Sequence, residues 1–147
     1  VDITPSFVKL SKFLAERTGL NSLVHYEVGD LLALPFPDKS FDVVWTQHVV
    51  MNIPEREKVY REFHRVLSPH GKLVFFDVVA SDEKPELHFP VPWAENNETS
   101  FLLTKAETIN VLQQAGFEKG SWQDATELSV QALANPPTPA LDNLNLR

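Results

Sequence analysis

Residues 29–45 decide the fold of this chain, and they read GDLLALPFPDKSFDVVW. The stretch begins with an acidic turn at Gly29 and Asp30, continues through a Leu-Pro-Phe loop and ends in an apolar, β-branched run that starts at Phe41. A short apolar run between turn residues is typical of a strand that is buried in a parallel sheet. Residues 41–46 are therefore predicted to form such a strand.

Helix signals lie on both sides of this stretch. Thr4 is the predicted N-cap of a first helix, Pro5 its first residue and Gly19 its left-handed C-terminal cap. Pro54 is predicted to begin a second helix. A capping box at Thr104 predicts the start of a third helix. The apolar positions of the second helix recur at helical spacing and predict one buried face, formed by Val59, Phe63, Val66 and Leu67.

Further strands are predicted at residues 23–28, 72–79 and 117–123, with the tail of another at residues 1–3 and a turn at residues 69–71. Strands that alternate with helices indicate an α/β fold with a mostly parallel sheet. Residues 81–100 are rich in proline and show no clear period, so they are predicted to form a long loop of the lid or binding type. The predicted organisation is one domain at residues 1–133 and a weakly ordered Pro/Asn-rich tail at residues 134–147.

Composition excludes several classes of function. The 147 residues carry a net charge of −7, which disfavours nucleic-acid binding, and contain no cysteine for disulfides or thiolate metal sites. The histidines show no metal-ligand spacing, so no metal site is predicted. No apolar run reaches the length of about 20 residues that a membrane span needs, and no secretory signal is visible, so we expect a cytoplasmic protein without a membrane partner.

The order of these motifs resembles the class I S-adenosylmethionine-dependent methyltransferases, in particular the glycine, sarcosine and phosphoethanolamine N-methyltransferases. The resemblance covers roughly residues 1–130 and includes the Val-Leu-x-Pro-x-Gly segment at residues 66–71. It implies a Rossmann-like methyltransferase sheet, S-adenosylmethionine as cofactor and a small-molecule acceptor, with an amine as the favoured class.

The resemblance also implies cofactor-binding residues. Asp2, followed by Ile3, ends one strand, and its carboxylate would accept hydrogen bonds from the ribose hydroxyls. Asp30 would accept the adenine amino group, while the backbone of Leu31 would meet a ring nitrogen. The residues themselves leave an alternative open for each carboxylate: Asp2 as an acidic residue at a helix N-terminus, and Asp30 as a turn residue that bonds its own backbone.

The segment after the strand at residues 41–46 would lie beside the transferred methyl group. Thr46 and Gln47 are implied cofactor contacts, and Gln47 and His48 are the candidate catalytic residues. His48 has a reference pKa near ~6.5 and would act as a base, unless it only packs or caps a helix. Asn52 and Trp93 are the candidate substrate residues. Trp93 would face an amine by a cation–π contact, or would instead anchor its loop on the core.

Parts of the family's sheet have no match in this chain. The family orders its strands 3-2-1-4-5-7-6, and the chain matches the end of strand 2 and strands 3 to 6. Strand 1 with its glycine-rich loop, and strand 7, are not matched. Without strand 1, two strand pairs would share no neighbour and would leave unpaired backbone groups. We therefore expect an N-terminally truncated domain, which a preceding segment or a second copy of the chain completes, and which binds the cofactor poorly alone.

Two further functions remain open at this stage. One is a non-catalytic methyltransferase-like module with a degenerate cofactor pocket, which His48 and Asn52 favour because they depart from the family pattern. The other is a nicotinamide-dependent oxidoreductase on a related sheet, which the Leu-Pro-Phe motif disfavours. Methyl transfer to a small molecule is the leading hypothesis.

Overall fold

The centre of the fold is a parallel pair of strands joined by a helix. The computed structural model describes residues 1–118 and 120–135. Strand β1 spans Phe41–Gln47, helix α2 spans Arg56–Val66 and strand β2 spans Leu67–Phe76. The two strands run parallel, with Val43 opposite Lys72 and Gln47 opposite Phe76. A parallel pair needs such a crossover connection, so the predicted strand–helix–strand order is confirmed.

The predicted turn at residues 69–71 lies inside β2. Phe41 pairs with Leu67 and Val43 with Lys72, so two steps along β1 correspond to five along β2. The extra residues bulge out of the ladder. Gly71 allows this because a Cβ atom there would lie 2.8 Å from a methyl carbon of Leu67. The strand predicted at residues 72–79 consequently begins earlier and ends at Phe76.

The core lies between this sheet and α2. Val50, Val59, Tyr60 and Phe63 are buried there together with Ala115, which follows helix α3 (Lys105–Gln114). Burial of these large side chains is the main stabilising contribution that the fold offers. Val59, Phe63 and Val66 confirm the predicted buried face of α2, whereas Leu67 is buried as the first residue of β2.

The helix boundaries follow the local signals closely. Helix α1 spans Pro5–Thr18 and ends at Gly19, which has the predicted left-handed conformation with φ +71°. Thr4 occupies the N-cap position but makes no side-chain cap; instead, the carboxylate of Asp2 accepts a hydrogen bond from the Thr4 amide at 2.7 Å. The capping box is confirmed, since Thr104 and Glu107 exchange hydrogen bonds at 3.2 and 2.8 Å. Helix α2 begins two residues after Pro54.

Two predicted strands do not form. Within residues 23–28 only Val28 pairs, in a single parallel bridge to Asp2. No strand is present among the described residues of the 117–123 segment. A strand exists only where a neighbour takes up its backbone hydrogen bonds, and apolar sequence alone does not supply one. Helix α4 spans Thr126–Ala134, so the predicted tail starts at the end of a helix; its residues 136–147 lie outside the described residues.

The prediction that β1 is buried is wrong for most of the strand. Trp45 is 73% exposed and Val43 54%, because α2 covers only one face of the sheet. No described strand pairs with the second edge of β1, and none joins it to the Asp2–Val28 bridge. Among the described residues, no helix is long and apolar enough to cross a membrane.

Candidate active site

A turn with a strained backbone follows the carboxyl end of β1 and is hydrogen-bonded to the carboxyl end of β2. His48 has a left-handed backbone with φ +53°, which costs energy for a residue with a side chain. Its amide donates to the carbonyl of Phe76 at 2.8 Å, and its ring packs edge-on against the Phe76 ring with centroids 4.9 Å apart. Gln47 and His48 are exposed, whereas Thr46 is buried. The structure therefore places the two candidate catalytic residues at the carboxyl end of β1, where both are exposed to solvent.

Asp77 holds this turn, and the sequence analysis missed it. Its Oδ1 atom accepts a hydrogen bond from the amide of Val49 at 3.1 Å. Burial raises the pKa of the Asp77 carboxyl, against the opposing effects of the Val49 amide, Arg56 and His48. An acidic residue directly after a strand at the carboxyl edge of a parallel sheet is a recognisable signal, and it could have identified Asp77.

A buried polar layer lies behind Asp77. Tyr60 is fully buried and Arg56 is 7% exposed. Burial raises the pKa of the Tyr60 hydroxyl more than the neighbouring guanidinium of Arg56 lowers it. Among the described residues, Arg56 Nε, Tyr60 Oη and Asp77 Oδ2 are buried without a hydrogen-bond partner of good geometry, as is Thr46 Oγ1 on β1. Unpaired buried polar atoms reduce stability.

The backbone segments that carry the two carboxylates predicted to hold a nucleoside are adjacent in the fold. Asp2 and Gly29 are joined by a backbone hydrogen bond of 3.1 Å, so Asp30 follows directly after the bridge to Asp2. Gly29 is required at this crossing, because a Cβ atom there would lie 2.9 Å from the side chain of Val1. Both carboxylates are exposed, as is Ile3, while Leu31 packs partly buried against the core.

These residues fit the nucleoside part of S-adenosylmethionine. In each carboxylate the Oδ1 atom accepts a nearby amide, Thr4 for Asp2 at 2.7 Å and Leu32 for Asp30 at 2.8 Å. The described contacts leave the second oxygen of each carboxylate available. Hydroxyl and amino groups are donors that such oxygens bind well. The alternative structural roles of Asp2 and Asp30 are also observed, because each carboxylate stabilises the turn in which it lies.

Arg65 holds the Leu-Pro-Phe loop in place, a role that the sequence analysis did not predict. Its guanidinium donates to the carbonyls of Leu34 and Phe36 at 3.0 and 2.8 Å, and to Asp38 at 2.8 Å. It also forms a double hydrogen bond with Glu62, whose carboxylate accepts the Leu34 amide at 2.9 Å. Arg65 holds the pKa of Glu62 below its usual range. The planar fork of arginine suits such multiple contacts.

The candidate substrate residues Asn52 and Trp93 are joined by a hydrogen bond between the segment after β1 and the long loop after β2. The indole of Trp93 is partly buried and donates to the hydroxyl of Ser100 at 3.1 Å. Trp93 lines two cavities, of about 410 and 340 Å³. Asn52 is the last residue of a short 3₁₀ helix, Val50–Asn52, and its side-chain amide donates to the backbone of the loop that carries Trp93. The predicted long loop is irregular apart from a second 3₁₀ helix, Asn97–Thr99.

A parallel α/β sheet with polar groups gathered at its carboxyl edge defines the Rossmann-like class. Within that class, the profile of a family described as a methyltransferase domain matches residues 1–75, which is more than half of the 147 residues. The chain therefore belongs to the methyltransferase domain family. The resemblance to class I S-adenosylmethionine-dependent methyltransferases is confirmed.

Curated relatives and a solved structure match most of the chain. Norajmaline N-methyltransferase of Rauvolfia serpentina is 32% identical over 135 residues, which are 86% of this chain and 46% of that protein. Phosphoethanolamine N-methyltransferase of Triticum aestivum is 29% identical over 134 residues, 90% of this chain and 26% of that protein. The crystal structure of the cyclase SpnF covers 95% of this chain and 53% of its own, with a TM-score of 0.71 and 26% identity. The chain thus spans less than half the length of these two curated relatives.

Proposed function

We propose that this chain is the part of an S-adenosylmethionine-dependent methyltransferase that holds the nucleoside and the acceptor, and that the acceptor is a small amine. The observations that carry the proposal are the exposed Gln47–His48 turn at the carboxyl end of β1, where ligands of open α/β sheets bind, and the bridge that places Asp2 beside Val28, two residues before Asp30. Relatives named for ajmaline, norajmaline and phosphoethanolamine N-methylation support an amine acceptor.

Each residue has a defined role in this proposal. The cofactor supplies an electrophilic methyl group when it is bound. Asp2 accepts hydrogen bonds from the ribose hydroxyls, and Asp30 accepts the adenine amino group. Thr46 and Gln47 lie nearest the reacting end, and Trp93 faces the cationic or neutral amine.

The acceptor nitrogen needs a free electron pair, which a protonated amine lacks. His48, exposed at the strand edge, takes that proton, so that the nitrogen can form its new bond to carbon. Alignment of the two reactants then supplies most of the remaining rate enhancement. The left-handed turn at His48 serves alignment, because it holds the imidazole against Phe76 at the edge of the sheet.

The proposal is tested in the natural polypeptide that carries this chain. Transfer of a labelled methyl group from S-adenosylmethionine to a panel of small primary, secondary and tertiary amines should be detected, and His48→Ala should abolish or strongly reduce it. His70→Ala is the matched control, since His70 lies in the bulge at the start of β2, away from the carboxyl edge.

The second candidate is a module with the same fold but another activity. The similarity to a solved structure named as a cyclase favours this second candidate, because the fold does not by itself specify methyl transfer. Binding of S-adenosylhomocysteine without transfer to any amine in the panel, or to small oxygen and carbon nucleophiles, would support this candidate and contradict the first.

A further inference from the structure

The side-chain amide of Asn52 ties together two segments that lie far apart in sequence. Its Nδ2 atom donates to the carbonyl of Trp93 at 2.9 Å and to the carbonyl of Thr99 at 2.6 Å. These carbonyls are at opposite ends of a tight stretch of loop. One amide group therefore closes the loop and fixes it to the segment that follows β1.

Neighbouring contacts support the same junction. The guanidinium of Arg56 donates to the carbonyl of Phe101 at 2.8 Å, and the Phe101 amide donates to the carbonyl of Met51 at 3.0 Å. Within the loop, Val91 and Ala94 exchange backbone hydrogen bonds at 2.9 and 3.1 Å. The junction thus joins residues 51–56 to residues 91–101, here called the acceptor loop.

The acceptor loop lines the larger cavity of the candidate substrate space and contributes two residues to the smaller one. Val91, Trp93 and Thr99 line the larger cavity, and Trp93 and Ser100 line the smaller one. Trp93 belongs to both cavities, and its own carbonyl is bound by Asn52. Asn52 therefore holds the backbone of a residue that lines both cavities.

We infer that Asn52 is a positioning residue, which fixes the acceptor loop and thereby sets the affinity for the methyl acceptor. This inference rests on the proposed function. It replaces the expectation of a direct substrate contact, because the amide nitrogen of Asn52 is directed at backbone carbonyls of the loop. The turn at Gln47 and His48 precedes Asn52 by only a few residues. The hydrogen bonds of Asn52 therefore also fix the position of the acceptor loop relative to this turn.

Asn52→Asp is the sharpest test, because it preserves the shape of the side chain and replaces the donor with an oxygen that repels both carbonyls. In the natural polypeptide, amide hydrogen exchange in residues 91–101 should become about tenfold faster or more, the scale of a lost hydrogen bond. The KM for the amine acceptor should rise by a similar factor, while the affinity for S-adenosylhomocysteine stays within about twofold, since the nucleoside contacts are elsewhere.

Asn110→Asp is the matched control, since it introduces the same charge at an exposed position of α3. It should change neither the amide exchange of residues 91–101 nor the KM for the amine acceptor. If Asn52→Asp lowers the folded fraction, Asn52→Ala removes the donor without adding charge and should give the same two changes. Unchanged exchange in the acceptor loop would overturn the inference. Faster exchange with an unchanged acceptor KM would also overturn it. If the parent polypeptide transfers no methyl group, the proposed function fails, and the exchange experiment still decides whether Asn52 fixes the loop.

Discussion

At the scale of single residues, Asp30 combines a structural and a proposed binding role in the two oxygens of one carboxylate. One oxygen stabilises the turn through the Leu32 amide at 2.8 Å, and because the residue is exposed, the other oxygen is available to a ligand. Asp30→Ala should weaken S-adenosylhomocysteine binding in the natural polypeptide by about 1–3 kcal/mol, the scale of a lost hydrogen bond to a buried polar group. Isothermal titration calorimetry measures this change directly.

The control for this substitution is Asp42→Ala, because Asp42 lies near the amino end of β1 and bonds only the hydroxyl of Ser68 among its described side-chain contacts. It should leave the affinity unchanged. An Asp30→Ala variant with parental affinity but a lower melting temperature would show that Asp30 serves the turn alone.

Asp77 predicts a pH dependence of stability with a defined sign. Burial raises its pKa in the folded state above the unfolded value of about 3.9, so the folded state binds the proton more tightly. The stability from this group is fully present below the unfolded pKa and is lost as pH rises through the folded pKa. Asp77→Asn stays neutral and keeps an oxygen for the Val49 amide. It should therefore be more stable than the parent at pH 7, with a difference that shrinks below about pH 4.

Urea unfolding of both proteins between pH 3 and pH 8 measures this difference. Asp82→Asn is the control, since Asp82 is exposed in the long loop and should show no such pH-dependent gain. An Asp77→Asn variant that is less stable than the parent at pH 7 would contradict the argument.

At the scale of elements, helix α2 organises the Leu-Pro-Phe loop through Arg65. Lysine cannot reproduce the fork that binds Leu34, Phe36 and Glu62 together, so Arg65→Lys should lower the melting temperature and speed amide exchange at Leu34. Arg61→Lys is the matched control one helical turn away, because Arg61 forms only an exposed ion pair with Glu57. Such exposed pairs contribute little. Equal effects of the two substitutions would show that the loop does not depend on Arg65.

At the scale of the whole molecule, the chain exposes a large apolar surface. Phe7, Leu10, Phe13 and Leu14 of α1 are exposed, and so are Val43 and Trp45 of β1. Exposed apolar patches of this kind mark surfaces that another element or molecule covers. The isolated chain should therefore bind an apolar dye and self-associate, and it should bind S-adenosylmethionine poorly.

Dye fluorescence and sedimentation velocity test this prediction. Both are measured for the isolated chain and for the natural polypeptide that carries it, and the dye fluorescence per molecule should be lower for the natural polypeptide. The double variant Phe7→Ser and Leu14→Ser should reduce dye binding by the isolated chain, whereas Leu128→Ser on α4 is a comparison at a separate exposed site. An isolated chain that is monomeric, unfolds cooperatively and binds the cofactor at micromolar concentration would contradict the expectation of a truncated domain.

Much of the candidate site was predictable because its signals are local. The motif order predicted Asp2, Asp30, Gln47 and His48, and their roles stay predictions. In the structure Gln47 ends β1 and His48 follows it, while Asp2 pairs with Val28 in a single bridge two residues before Asp30. Asp77 could have been identified from its position directly after β2, but the roles of Arg65 and Asn52 were not predictable in this way. The contacts of these three residues reach backbone groups between 28 and 47 residues away in sequence, and no spacing rule encodes such separations.

The sequence by itself determined the elements whose hydrogen bonds close within a few residues: the left-handed end of α1 at Gly19, the capping box of Thr104 and the apolar face of α2. It also determined the family, because the motif order is a property of the chain. Only the tertiary structure decided which apolar segments became strands. Residues 41–47 found a parallel neighbour, whereas residues 23–28 gained only the bridge at Val28. The physical reason is that a strand is stabilised by a partner's backbone, and the position of that partner depends on how the whole chain packs.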